Sequence, residues 1–183
     1  KIQYGTSMCY PISSMGSHVS VIPNHQVFRN TPLHTRANVA YFGTFGYELD
    51  LNKLSDEEIS EVKQQITFMK EYRELIQFGT FYRLKSPFEG NETVWMTVSE
   101  DKKTALVFWY RERNVVNADF TRVRLQGLDP DFIYRNEYNG TENYGDELMN
   151  LGLLTTDCTA GEPTSENEPC TDYESRIYVL TAK

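Results

Sequence analysis

The feature that most constrains the fold is one long amphipathic helix, predicted between Leu54 and Gly79. Ser55 and Glu58 have the spacing of a capping box, in which each side chain accepts a hydrogen bond from the backbone amide of the other residue. Apolar residues then recur at steps of three and four, which predicts that one face of the helix is buried. These residues are Ile59, Val62, Ile66, Met69, Tyr72 and Ile76. The pattern changes after Gly79, so the helix is predicted to join two dissimilar halves.

The first half, residues 1–78, alternates helical and extended patterns. Ile2–Tyr10 indicates the end of a helix, and Ile12–Pro23 contains a short buried strand. Pro32–Gly43 predicts a second helix and Phe45–Leu51 a second strand. Helix, strand, helix, strand, helix is the order of a parallel α/β layer, in which ligand-binding loops follow the carboxyl ends of the strands. Two strands are too few to close a barrel.

The second half, residues 79–183, consists of short alternating segments separated by turn residues, a pattern typical of an antiparallel β-sandwich. The predicted strands are Phe81–Leu84, Val94–Val98, Ala105–Tyr110, Arg122–Leu125, Phe132–Tyr138 and Ile177–Leu180. Thr155–Asp172 is rich in Thr, Glu, Ser and Pro, and we predict no secondary structure for it.

Composition narrows the classes of partner. The 183 residues are 39% apolar and 13% aromatic, which is enough for a packed core. Eighteen basic against 26 acidic residues give a net charge of −8, so neither nucleic acid nor an anionic membrane is an expected partner. No apolar run approaches the length of a membrane span.

The cysteines and the glycosylation sequons bear on the cellular compartment. Cys158 and Cys170 lie near the two ends of Thr155–Asp172 and either form a disulfide or remain two free thiols. Asn91 and Asn139 begin Asn-X-Thr sequons, although two sequons are close to the number that chance supplies. Together these features favour an extracellular over a cytoplasmic location. We expect no metal site, because there is no CxxC motif and the histidines are remote from the cysteines in sequence.

Several blocks in order along the chain resemble the large α-galactosidases of glycoside hydrolase family thirty-six. The blocks are Ile2–Ser7 (IQYGTS), Tyr10–Ser20 (YPISSMGSHVS), Pro23–Gln26 (PNHQ), Thr31–Leu33 (TPL), Gly43–Leu51 (GTFGYELDL), Tyr72–Gln77 (YRELIQ), Phe81–Leu84 (FYRL), Ser86–Phe88 (SPF) and Gly145–Met149 (GDELM). The resemblance implies that residues 1–78 are the last βα units of a (β/α)8 TIM barrel, and that residues 79–183 are a Greek-key-like antiparallel β-sandwich.

The resemblance also implies the chemistry. Family members hydrolyse terminal α-galactosides such as melibiose and raffinose with retention, using two aspartates and no cofactor. The resemblance places both aspartates before Lys1, so we expect no catalytic residue in this segment and no activity from it alone. The expected partners are the upstream barrel of the same protein and a galactoside, in an enzyme that is a homo-oligomer. The alternative is a non-catalytic carbohydrate-binding or interaction module.

Four residues are candidates for the substrate pocket. Ser17 and His18 are predicted to end a barrel strand, and Asn24 and His25 follow in the next loop, where active-site residues collect. Glu48 and Asp50 also share one side of a predicted strand, but we favour a structural role over an acid/base pair. The tryptophans in the predicted strands of the second half are more consistent with packing than with stacking on sugars.

Overall fold

The computed structural model describes residues 1–115, 120–155 and 172–183. The chain forms two compact units, Lys1–Phe78 and Gly79–Lys183. In the first unit the helices are α1 (Ile2–Thr6), α2 (Leu33–Ala40) and α3 (Asp56–Phe78), the strands are β1 (His18–Ser20) and β2 (Gly46–Glu48), and short 3₁₀ helices span Ile12–Ser14 and Leu51–Lys53. Strands β1 and β2 are parallel. This confirms the predicted α/β order, with strands shorter than expected.

Helix α3 begins with the predicted capping box. The amide of Ser55 donates to Glu58 Oε2 at 2.9 Å, and the amide of Glu58 donates to Ser55 Oγ at 3.2 Å. Both contacts satisfy amides that have no partner within the helix. The helix ends at Phe78, immediately before Gly79.

The buried stripe of α3 differs from its predicted composition. Val62, Met69 and Ile76 are buried as expected, but Ile66 is only half-buried and Gln65 is buried in its place. The polar Gln65 tolerates burial because its side chain is hydrogen-bonded at both ends, to Tyr47 at 2.8 Å and to Glu61 at 2.8 Å. Apolar periodicity alone therefore predicted burial of Ile66, whereas the buried position at the centre of the helix is its neighbour Gln65.

The second unit contains strands β3 (Thr80–Lys85), β4 (Glu92–Val98), β5 (Thr104–Arg111), β6 (Arg122–Val123), β7 (Ile133–Asn136), β8 (Glu142–Tyr144), β9 (Leu153–Leu154) and β10 (Glu174–Ala182), with helix α4 (Gly145–Asn150). Six strands form one antiparallel sheet in the order β3-β4-β5-β10-β7-β8, and β6 pairs with β9. The antiparallel sheet confirms a β-rich second half. The sequence did not predict β8, α4 or β9.

The core of this unit joins the large sheet to the β6–β9 pair. Val94, Val107 and Tyr178 from the sheet lie in one buried cluster with Val123 of β6 and Leu153 of β9. Trp109 belongs to the same cluster and is 1% exposed. Trp109 is thus a packing residue, as predicted. The segment between Cys158 and Cys170, with both cysteines, lies outside the described residues.

Candidate functional site

The parallel pair in the first unit has two different faces. Its register pairs Val19 with Tyr47, and the flanking pairs are His18 with Gly46 and Ser20 with Glu48. Val19 is fully buried, and the hydroxyl of Tyr47 reaches helix α3. Because side chains alternate along a strand, the flanking pairs project from the opposite face. We call this opposite face, made of His18, Ser20, Gly46 and Glu48, the open face.

Aromatic packing closes the helix-covered face. The ring of Tyr41 stacks on Phe45 with centroids 4.8 Å apart and lies 4.9 Å from the ring of Phe68 on α3. Burial raises the pKa of the Tyr41 phenol, and burial together with the nearby Glu61 carboxylate raises the pKa of Tyr47 to about 12. Both phenols are thus held neutral and serve as hydrogen-bond donors to helix α3.

His18 begins strand β1 and Ser17 precedes it, so the prediction that these two residues end a strand is wrong. The side chain of His18 is exposed on the open face. A side chain at Gly46, its partner across the strands, would place a Cβ 3.2 Å from His18 Cδ2. Glycine at this position thus leaves room for the imidazole ring to lie over the neighbouring strand. The structure positions His18 where a molecule bound at the open face could reach it.

The side chain of Ser17 is buried, whereas that of its neighbour His18 is exposed. Its buried hydroxyl donates to the carbonyl of Ala40 at 2.5 Å and accepts from the amide of Phe45 at 3.3 Å. A Cβ at Gly43 would lie only 2.4 Å from Ser17 Oγ, so the backbone packs directly against this hydroxyl. The serine ties the end of α2 to the approach to β2. The prediction grouped Ser17 with His18, and the structure does not bring their side chains together.

The loop after β1, residues 21–32, is organised by Asn24. The side-chain oxygen of Asn24 accepts hydrogen bonds from the amides of Gln26 at 3.0 Å and Val27 at 3.1 Å. Its backbone amide donates to the carbonyl of Arg29, and its carbonyl accepts from the amide of Phe28. The carboxamide of Asn24 therefore shapes the loop, whereas His25 beside it is exposed. We call residues 24–29 the Asn24 turn.

Arg36 on α2 fixes the two ends of this loop. Its guanidinium donates to the carbonyl of Ser20 at 2.6 Å and to that of Thr31 at 3.0 Å. Burial lowers the pKa of Arg36, and the carboxylates of Glu58 and Glu61 oppose that change. One side chain therefore holds the loop at the carboxyl end of β1. Sequence reasoning missed Arg36, since nothing in a lone helical arginine indicates two carbonyl partners.

Glu48 and Asp50 do not form a pair on one strand. Strand β2 ends at Glu48, and Asp50 caps the following 3₁₀ helix by accepting from the amide of Asn52 at 3.1 Å. Glu48 instead lies on the open face, beside Ser20. The structural role expected for Asp50 agrees with this cap.

The two sequons have different surroundings in the second unit. The carboxamide of Asn91 donates to the carbonyl of Arg113 at 2.5 Å and accepts from the amide of Arg113 at 3.0 Å. Asn139 is exposed in a turn, where its side-chain oxygen accepts from the amide of Thr141 at 3.1 Å. The amide nitrogen that would carry a glycan is thus engaged at Asn91.

A cavity of about 470 Å³ lies in the second unit near the start of β4 and the end of β5. Among its charged lining residues, Lys85 pairs with Glu92, and Arg111 pairs with Glu174 outside the lining. This pairing is typical of structural ion pairs. Among the described residues no cluster of histidine, cysteine or acidic side chains could hold a metal ion, and no helix has the length and apolar character to span a membrane. Cys9 is an exposed free thiol.

Two family models match the chain. Residues 1–79 match Melibiase, and residues 92–180 match the glycosyl hydrolase family 36 C-terminal domain. The chain is 55% identical over 153 residues to the alpha-galactosidase AgaA of Geobacillus stearothermophilus. The aligned residues cover 84% of this chain and 21% of that protein. The chain thus spans about a fifth of the length of this relative.

Solved structures of AgaA variants give the same match in three dimensions. A variant in complex with stachyose has a TM-score of 0.89 at 48% identity, and a variant in complex with raffinose has a TM-score of 0.89 at 47% identity. Each match covers 100% of this chain and 24% of the solved chain. The sequence and the fold agree along both units, and the chain belongs to glycosyl hydrolase family 36.

Proposed function

We propose that this chain is part of a retaining α-galactosidase that removes terminal α-linked galactose from raffinose-type oligosaccharides. Residues 1–78 supply the last two βα units of its (β/α)8 barrel, and residues 79–183 supply its C-terminal β-sandwich. The nucleophile and acid/base aspartates belong to the rest of the barrel. The partners of this segment are that barrel, the galactoside, and further copies of the enzyme in a homo-oligomer.

One observation carries the barrel assignment, namely the open face of the parallel β1–β2 pair. In the part of the chain that the structure describes, helices cover the face that contains Val19 and Tyr47, and His18 and Glu48 on the other face are exposed. In a (β/α)8 barrel helices surround the outside, and the opposite face of every strand points into the barrel. The order β1-α2-β2-α3 with parallel strands is the repeat from which such a barrel is built.

The carboxyl ends of barrel strands form the active-site face. Ser20 and Glu48 end β1 and β2, and the loop that contains Asn24 and His25 follows β1. We assign His18, His25, Ser20 and Glu48 to the wall of the galactoside pocket. Asn24 shapes the loop rather than facing the sugar, since its side-chain oxygen is already used within the Asn24 turn.

The relatives support the proposed substrate class. AgaA variants were solved with raffinose and stachyose, both of which carry terminal α-galactosyl groups. The β-sandwich assignment is supported by the buried cluster that joins the six-stranded sheet to the β6–β9 pair.

The full-length gene product tests the proposal. We expect it to hydrolyse an aryl α-galactoside and to release galactose first as the α-anomer, which proton NMR distinguishes from the β-anomer. The 183-residue chain alone is expected to show no turnover. Turnover by this chain that survives Glu48→Gln and Asp50→Asn would overturn the assignment of the aspartates to the rest of the barrel.

A further inference from the structure

Phe28 combines an exposed aromatic ring with a left-handed backbone conformation. Its side chain is 77% exposed, and its backbone has a φ of 54°. This left-handed conformation is natural for glycine and costs energy for a bulky side chain. An exposed phenyl ring held in an unfavourable backbone conformation is a candidate for a functional role.

The Asn24 turn fixes the position of this ring. The amide of Phe28 donates to the carbonyl of Asn24 at 2.8 Å, and the amide of Asn24 donates to the carbonyl of Arg29 at 3.0 Å. Arg36 then ties the ends of the loop to helix α2. The ring is therefore presented from a hydrogen-bonded turn whose conformation does not depend on the ring itself.

The loop that carries the ring exposes polar side chains as well as the apolar side chains of Val21, Ile22 and Val27. His25 and Gln26 are exposed in the same turn, and both can exchange hydrogen bonds with hydroxyl groups. The turn follows the carboxyl end of β1, the side on which a (β/α)8 barrel binds substrate. An aromatic face next to hydrogen-bonding side chains suits a pyranose ring, because C–H groups pack on the electron-rich face while hydroxyls need polar partners.

We propose that Phe28 is a specificity-determining residue that stacks on a sugar ring of the leaving group. The proposal rests on the proposed α-galactosidase function and deepens it. The ring would contact the part of raffinose or stachyose beyond the terminal galactose. We place the contact on a leaving-group sugar beyond the first one, a position that the single ring of an aryl α-galactoside does not reach. Phe28 should thus affect oligosaccharides selectively.

The test uses Phe28→Gly in the full-length enzyme, because glycine accepts the positive φ and so preserves the turn. We expect KM for stachyose and raffinose to rise roughly three- to tenfold, the range of an aromatic stacking contact. Both kcat and KM for p-nitrophenyl α-galactoside should change by less than about twofold. Phe28→Trp, which keeps an aromatic face, should retain oligosaccharide affinity. Val27→Ala, at an exposed residue of the same turn, is the matched control.

Two results would overturn the inference. Equal changes for all three substrates, or none, would show that Phe28 does not recognise the leaving group. A lowered Tm or an altered oligomeric state in Phe28→Gly would show instead that the ring packs against the rest of the enzyme or a second copy. A wild-type enzyme without aryl α-galactosidase activity would defeat the proposed function itself, so the two failures are distinguishable.

Discussion

The hydroxyl of Tyr47 donates a hydrogen bond of 2.8 Å to the side-chain oxygen of Gln65, which links strand β2 to the middle of helix α3. Gln65 is 6% exposed and also donates to Glu61 at 2.8 Å. The helix therefore meets the strand through a buried polar contact as well as through its apolar stripe. This contact holds the strand that carries Glu48 on the open face.

Gln65→Ala should lower the free energy of unfolding by about 1–3 kcal/mol, because it removes one partner of a buried hydrogen bond. Urea unfolding of the chain measures the change. Gln64→Ala is the matched control, since Gln64 is an exposed glutamine on the same helix. Its expected effect lies within about 0.5 kcal/mol. Equal effects of the two variants would contradict the role of Gln65.

The raised pKa of Tyr47 predicts a loss of stability at high pH. The phenol ionises near its ordinary pKa of about 10 in the unfolded chain, but only at about 12 in the folded chain. Between these values the unfolded chain has lost a proton that the folded chain keeps, so unfolding becomes more favourable as pH rises. The free energy of unfolding should decrease from pH 10 to 12. Tyr47→Phe should make this decrease smaller, and the raised pKa of Tyr41 should account for part of the decrease that remains. An unchanged pH dependence in Tyr47→Phe would exclude Tyr47 as a source.

The capping box predicts a local effect on helix α3. Ser55→Ala removes the acceptor for the amide of Glu58 and should cost about 1 kcal/mol. Ser60→Ala makes the same substitution at an exposed position inside the helix, where alanine is slightly favourable. The two variants should thus shift the urea midpoint in opposite directions. A midpoint for Ser55→Ala at or above that of the wild type would mean that the cap contributes nothing.

Local signals explain which elements were predictable. The capping box and the apolar periodicity of α3 involve neighbours in sequence, so the chain itself specifies them. The short strands β6 and β9 have two residues each and exist because Arg122 pairs with Leu154 and Val123 with Leu153. Only one of them, β6, fell within a predicted strand. Such pairings between distant segments leave little trace in a local pattern.

The location of the candidate site stays a prediction from the sequence, whereas its detail comes from the structure. The loop after β1 follows from the rule that ligands bind at the carboxyl ends of parallel strands. The orientation of Ser17 depends on its contact with Ala40, which the sequence does not reveal. The sequence did not indicate a role for Phe28, because its left-handed backbone conformation is visible only in the structure.

The last prediction concerns the ion pair that joins β5 to β10 in the second unit. Arg111 and Glu174 face each other across the strands, with side chains 7% and 15% exposed. Glu174 also pairs with Arg176 at 2.7 Å. Glu174→Gln removes the carboxylate that pairs with both of these guanidinium groups in a largely buried site. Because breaking a buried pair leaves an uncompensated charge, we expect a loss of about 3–5 kcal/mol in the free energy of unfolding.

The exposed pair Arg135–Glu137 provides the control for this substitution. Its side chains are 53% and 46% exposed, and Glu137→Gln should cost less than about 1 kcal/mol. Adding Arg111→Met to Glu174→Gln removes one of the two positive charges that Glu174 balanced. The double variant should therefore lose less free energy of unfolding than the sum of the losses in the two single variants. Additive costs in this double-mutant cycle, or equal costs for Glu174→Gln and Glu137→Gln, would show that the buried carboxylate is not required to balance the arginines.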